Sequence, residues 1–463
     1  MSDRPPSNVR LTPYRLRDAE AELGQLRVPV HHVARGATLE LRFVRLKSRS
    51  PSPGPPLLFL TGGPGLSGIR SGEGRLFPMF DALRDHGDVI LLDQRACVPV
   101  RILRDRVMPG GDRPLFPTDR IVSHDEYLRV IRDTVHDEAS YLRLNGVPTG
   151  ALNTAESADD VAMLVRALYG DGGHQAGMAL LGWSYGSHLA MAVIKQHRSL
   201  VASAVLAAPE GPDHTFKRPI RIQEHLERIT ARSSFDLAGT LARVLKRLER
   251  KPGHIVIPGE HSTQHESAVL GRFDLEWIVS ECLADPRALR RLPAVLARLD
   301  HGDFGVIGSE SLPRGAWLAL REELPHSVGR YAMDCASGVT AGRRALIDQE
   351  AKATLLGNII DFPLPDICNA MGCRDLGDEF RAAPRSDVPV LFITGTLDCR
   401  TPAENVADLA PGLPNHQHLV VEDAGHSDLL LATGAQEAII RFFAGEPAGG
   451  HVAADTPLTF DAA

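Results

Sequence analysis

The feature that most constrains this chain is Gly182-Trp183-Ser184-Tyr185-Gly186. Glycine and serine are common, so Gly-x-Ser-x-Gly alone says little. Here an apolar run, Met178 to Leu181, leads in, and a helical pattern, His188 to His197, leads out. A serine between a strand and a helix, with glycine two before and two after, forms an elbow that lifts its hydroxyl above a sheet. The turn is strained, and small residues at 182 and 186 let strand and helix approach closely. A serine activated this way needs an acid and a histidine downstream, in that order.

The rest of the chain supplies the sheet. Residues 1–24 are polar and proline-containing and read as a loosely held arm. Val28–Val30 and the alternating Thr38–Leu46 read as an antiparallel hairpin at a sheet edge. Leu57–Leu60, Asp88–Asp93, Met178–Leu181 and Val201–Ala208 are apolar runs of strand length, separated by helical stretches such as Leu76–Arg84, Asp125–Leu144 and Asn153–Leu168. From about 212 to 385 strands give way to charged helical segments, among them Ile220–Arg232, Leu237–Leu248, Leu275–Leu283 and Pro286–Leu299. The strand pattern returns at Val388–Ile393 and His418–Val421. A closing helix is expected over Ser427–Phe443, and the Gly/Ala/Pro-rich tail from Gly445 reads as mobile. Alternating strands and helices predict an α/β fold, a mostly parallel sheet with helices on both faces. The first half of the core is assigned to 25–211, an inserted helical cap to 212–385, and the second half of the core to 386–445.

In such a sheet the reactive loops lie at the carboxyl ends of the strands. Ser184, Asp398, His426 and the pair Gly62-Gly63 all come directly after apolar strands. Ser184 is the candidate nucleophile, His426 the general base and then acid, and Asp398 the residue that orients it. His416 and His418 precede or lie within the last strand, whereas His426 lies beyond it. Asp423 is the alternative acid, but it reads as a loop carboxylate. The backbone N–H groups of Tyr185 and Gly63 are candidate oxyanion donors, with Gly62 beside them. Gly62, Trp183 and Glu210 are candidate substrate-binding residues. Asp93 and Arg95, just past a buried strand, read as structural.

Composition narrows the partners. A formal net charge of −7 over 463 residues argues against nucleic acid. No apolar run reaches the roughly 18 residues of a membrane-spanning helix, and the amino terminus has no apolar leader pattern. Six scattered cysteines suit reduced thiols, so a cytoplasmic protein is expected. The mechanism requires no metal or organic cofactor. The expected partner is a small peptide or ester substrate, and the sequence leaves the oligomeric state open.

Thr61-Gly62-Gly63-Pro64-Gly65, Asp93-Gln94-Arg95, Gly182-Trp183-Ser184-Tyr185-Gly186, Gly395-Thr396-Leu397-Asp398 with Thr401-Pro402, and Gly425-His426 together resemble the proline iminopeptidases and tripeptidyl aminopeptidases of the α/β-hydrolase fold. The resemblance runs from about Leu57 to Phe443 and is least specific in the cap. Two positions depart from it: Thr61 stands where the family usually has histidine, and Ala96 where it usually has glycine. These alter the rim of the site rather than the triad. The resemblance implies a serine hydrolase that removes an N-terminal residue, often proline, from a peptide. That activity needs a carboxylate for the free α-amine. Glu210 is the first candidate, with Glu224, Glu227 and Glu276 behind it. The alternative on the same triad is a carboxylesterase or amide hydrolase of small acyl substrates.

Overall fold

Successive residues of a strand face opposite sides of a sheet, and in the central strands both sides are apolar. Leu57 and Phe59 pack with Val89, Leu91, Leu181, Val205 and Ile393 on one face. Leu58 and Leu60 pack with Ile90, Leu92, Leu180, Leu206 and Phe392 on the other. Burial on both faces is what continuous Val/Ile/Leu runs demand, and it is the pattern of a parallel sheet covered twice.

The computed structural model describes residues 8–34, 36–104, 115–170, 177–258, 265–322 and 326–461. The strands are β1 (Val9–Leu16), β2 (Ala19–Pro29), β3 (Thr38–Leu46), β4 (Leu57–Leu60), β5 (Val89–Asp93), β6 (Met178–Trp183), β7 (Val201–Ala207), β8 (Gly253–Pro258), β9 (His265–Leu270), β10 (Val390–Gly395), β11 (His416–Glu422) and β12 (Gly450–Ala453). Ten of them form one sheet in the order β1-β2-β3-β5-β4-β6-β7-β10-β11-β12, and β8 pairs with β9 alone. The pairs β1–β2, β2–β3 and β3–β5 are antiparallel, and every pairing from β5 through β12 is parallel. The crossover of β4 and β5 and the parallel run beyond it make this the α/β-hydrolase fold.

Two terminal expectations are corrected. Residues 8–29 are not a loose arm. They form the β1–β2 hairpin, in which Leu16 and Leu26 are buried while charged residues such as Arg10 and Glu20 face out. Polar and apolar residues mix on both of its faces, which hid the strand pattern. The β2–β3 pair is therefore internal rather than an edge. The tail beyond Gly445 supplies β12, whose backbone pairs with β11.

Helices cap where their first residues predict. Asn153 accepts from the Glu156 N–H at the start of Thr154–Tyr169, and Ser123 from the Glu126 N–H at the start of His124–Leu144. The 212–385 block is helical as expected, with Pro219–Arg232, Leu237–Arg250, Arg272–Ala284 and Pro286–Asp300 close to the predicted spans. The β8–β9 hairpin inside it was not predicted. Segment 115–152 joins this layer: the Tyr127 hydroxyl donates to Asp274 (2.8 Å), and the Phe116 N–H to the Arg321 carbonyl (2.9 Å).

The thiols are not all reduced. Cys335 and Cys368 form a disulfide, with Cα atoms 5.5 Å apart. It ties the helix Val328–Ser337 to the irregular segment beyond Ile359, and both contribute walls to the cavity over Ser184. Among the described residues no helix is long and apolar enough to cross a membrane.

Candidate active site

The elbow takes the strained geometry that its sequence predicts. Ser184 has φ +55° and ψ −123°, a region that L side chains rarely adopt, and it precedes the helix Tyr185–Gln196. Both glycines are obligatory. A Cβ at Gly182 would meet the Gly186 carbonyl oxygen at 2.4 Å, and one at Gly186 would meet the Leu60 carbonyl oxygen at 1.7 Å. We expect Gly186→Ala to force β4 and the elbow helix apart and to destabilise the protein by about 4 kcal/mol or more. A thermal melt measures it, and an unchanged melting temperature would refute this packing.

Strands β6, β10 and β11 are parallel, so their carboxyl ends deliver Ser184, Asp398 and His426 to one edge. Ser184 Oγ lies 3.0 Å from His426 Nε2, and His426 Nδ1 lies 2.8 Å from Asp398 Oδ2. This is the spacing of a serine O–H donating to imidazole and an imidazole N–H donating to carboxylate. Asp398 is buried. Its Oδ1 accepts the N–H groups of Arg400 and Thr401 (2.9 Å each), and its Oδ2 also accepts the Thr401 hydroxyl (2.7 Å). Burial alone would raise its pKa. The His426 charge and these hydrogen bonds outweigh burial and hold it below the usual carboxylate value. No sequence pattern marks Thr401 as the support that it is, through both its N–H and its hydroxyl. Asp423, the alternative acid, is engaged elsewhere: it accepts from Arg232 (2.6 Å) and from the Leu458 N–H (3.0 Å).

Gly62 packs directly on Ser184, since a Cβ there would lie 3.1 Å from Ser184 Cβ. Gly63 has φ +117° and no room for a side chain. The loop is held from below by Gln94, whose Nε2 donates to the Thr61 carbonyl oxygen (2.8 Å). Tyr185 opens its helix, so its N–H has no intrahelical acceptor. Its side chain points away, with the hydroxyl 3.0 Å from Thr154 Oγ1. Trp183 stacks on His426, with ring centroids 5.9 Å apart. The neighbouring Asp93 and Arg95 are structural. Asp93 accepts from Ser67 Oγ and the Ile69 N–H, and buried Arg95 makes a two-pronged bond to Asp160 (2.7 Å each).

A cavity of about 260 Å³ opens over Ser184, lined also by Gly62, Gly63, Trp183, Glu210 and His426. The cap adds charged walls that no sequence pattern announced: Lys217, Glu281, Arg330, Asp334, Asp361 and, from the core, Arg400. Most of these pair off. Glu210 Oε2 accepts from Lys217 Nζ (2.7 Å), and this ammonium holds the Glu210 pKa down against a burial that raises it. Glu281 pairs with Arg400. Asp361 accepts the Lys217 backbone N–H. Among the described residues, Asp334 has only Arg330 as an ion-pair partner, at 3.5 Å. Burial pushes both Asp334 and Asp361 up to about 7. Glu224, Glu227 and Glu276 lie outside this cavity. They bond to Arg221, Gln223 and Arg272 on their own helices.

Residues 365–448, which carry Asp398 and His426 but not Ser184, match the family described as TAP-like protein. No curated protein matches the chain. Among solved structures it is similar to a thermophilic esterase from Thermogutta terrifontis, at 19% identity over 90% of this chain and 98% of that one, with a TM-score of 0.36. It is similar to Rv0554 from Mycobacterium tuberculosis at 16% identity over 92% and 100%, with a TM-score of 0.40. An epoxide hydrolase from an endophytic Streptomyces shares 14% identity over 96% and 99%, with a TM-score of 0.39. By its own strand order the chain has the α/β-hydrolase fold.

Proposed function

We propose that this protein is a serine hydrolase that removes an N-terminal residue, with a proline-type preference, from small peptides through an acyl-enzyme. The observation that carries the hydrolytic reading is the continuous hydrogen-bonded chain Asp398–His426–Ser184 at the mouth of a cavity. Ser184 attacks the scissile carbonyl while His426 takes its proton. The Tyr185 and Gly63 N–H groups receive the oxyanion. His426, oriented by Asp398, then protonates the leaving amine and activates the water that releases the acyl group. Residues of 212–385, among them Arg330, Tyr331, Asp334 and Phe362, wall the cavity over Ser184.

The exopeptidase reading rests on the acidic cap wall and on the motifs shared with aminopeptidases. Because Lys217 already neutralises Glu210, we assign the amine contact to Asp334, whose single ion pair among the described residues is long, at 3.5 Å. Asp334 and Asp361 ionise near pH 7, so KM for a free-amine substrate should fall as pH rises through about 7. Asp334→Asn should raise that KM by about 10-fold or more, the loss of a charge-assisted hydrogen bond. It should leave hydrolysis of a short p-nitrophenyl ester unchanged.

The second reading, a carboxylesterase or amide hydrolase of small acyl groups, is favoured by the pairing of Glu210 and Glu281 with cations, which leaves fewer free carboxylates. Three substrates separate the readings: a proline p-nitroanilide, its N-acetyl form, and a p-nitrophenyl short-chain ester. Cleavage of the anilide that N-acetylation abolishes establishes the aminopeptidase. Turnover of the ester alone refutes it in favour of the esterase.

A further inference from the structure

Behind the Ser184 cavity lies a second one, of about 250 Å³, between the start of the cap helix Pro219–Arg232 and the segment 399–408. The two cavities share Lys217 and Arg400 as a common wall. Their charges differ in sign. The second is lined by Lys217, Arg218, Arg221, Arg343 and Arg400 against two carboxylates, Glu404 and Asp408. Both carboxylates are engaged, Glu404 by Arg228 (3.2 Å) and Asp408 by His214 (3.1 Å). Arg218 and Arg221 lean on Glu350 and Glu224.

Arg343 stands apart. Among the described residues no carboxylate lies within ion-pair distance of it, and its Nε donates only to the Phe216 carbonyl oxygen (3.3 Å). Nearby Asp213 is spent on the Thr340 N–H and hydroxyl (2.7 and 2.8 Å). Burial pulls the Arg343 pKa below its ordinary value, against the attraction of Asp213, Asp408 and Asp361 at longer range. A partly buried guanidinium that no carboxylate contacts directly keeps donors that an entering anion can take. Its planar fork suits a carboxylate or phosphate.

We propose that this second cavity is an oxyanion-binding subsite for a carboxylate or phosphate group, held by Arg343 with help from Arg218 and Arg221. The anion is carried by the substrate, whose reacting bond lies at Ser184 and whose charged end passes the Lys217–Arg400 wall. The site would select acyl substrates that bear a negative charge at a distance from the scissile bond.

The first test needs no turnover, so it stands whatever the fate of the peptidase reading. Thermal melts are taken with increasing inorganic phosphate, with sodium chloride holding ionic strength constant. The wild type should gain about 2 °C or more at saturating phosphate, because a ligand that binds only the folded state stabilises it. Arg343→Ala should lose that gain, and Arg343→Lys should keep part of it. No phosphate-specific gain in the wild type overturns the proposal, and so does an equal gain in Arg343→Ala. If the alanine variant does not fold, the wild-type and lysine melts still decide. Kinetics then identify the source of the anion. Phosphate should raise KM for an ester bearing a distal carboxylate and not for its uncharged analogue. An equal effect on both overturns the substrate-borne assignment in favour of a free anion.

Discussion

Ser184→Ala is expected to lower kcat by about 10⁶-fold on any ester or amide that the protein turns over. The reason lies in the elbow. Its strained φ of +55° places Oγ 3.0 Å from His426 Nε2, and among the described residues no other hydroxyl bonds to that nitrogen. Removing Oγ removes the attacking atom and leaves only the oxyanion donors and binding, which sustain a small residual rate. Alanine keeps the Cβ that packs against Gly62 and adds no atoms, so the fold should survive with an unchanged melting temperature. Retained turnover in a folded variant would mean that the bond is broken elsewhere.

Asp398→Asn should lower kcat by about 10⁴-fold while the protein stays folded. The Arg400 and Thr401 N–H groups would still hold Oδ1 of the new amide. Its NH₂ would then face His426 Nδ1, and two donors cannot share one bond. The ring must present Nδ1 as acceptor, which puts the proton on Nε2 and leaves Ser184 without a base. The same carboxylate links pH to stability. Its folded pKa is depressed below the ordinary 3.8. The stabilisation it gives is therefore present above that value and is lost as pH falls through the lower, folded one. The asparagine variant should lose this part of the acid sensitivity, measured as melting temperature against pH below about 4.

Where local chemistry decides a feature, the sequence carried it. The span Leu57–Leu60 coincides with β4, Thr38–Leu46 with β3, and Asn153 caps its helix as its side chain predicts. The Ser184, Asp398 and His426 assignments rested on the position of each residue just past the end of an apolar strand, and parallel strands bring all three to one edge. Features fixed by distant partners were hidden. β1 carries an arginine on each face, Arg10 and Arg15, so its residues read as a polar arm. Asp334 and Asp361 sit on cap segments whose approach to Ser184 no periodicity encodes. Lys217 lies seven residues beyond Glu210, and a turn folds it back onto the carboxylate. Cys335 and Cys368 pair across 33 residues, a contact that spacing cannot announce.

If Ser184 is the activated nucleophile, it should react with an electrophile that needs no substrate recognition. Intact mass and peptide mapping after treatment with a fluorophosphonate test it without any assumption about substrate. One covalent adduct is expected, on the peptide containing Ser184, absent from Ser184→Ala and strongly slowed in His426→Ala. A folded wild type that gains no adduct, or one that carries it on another residue, would contradict it.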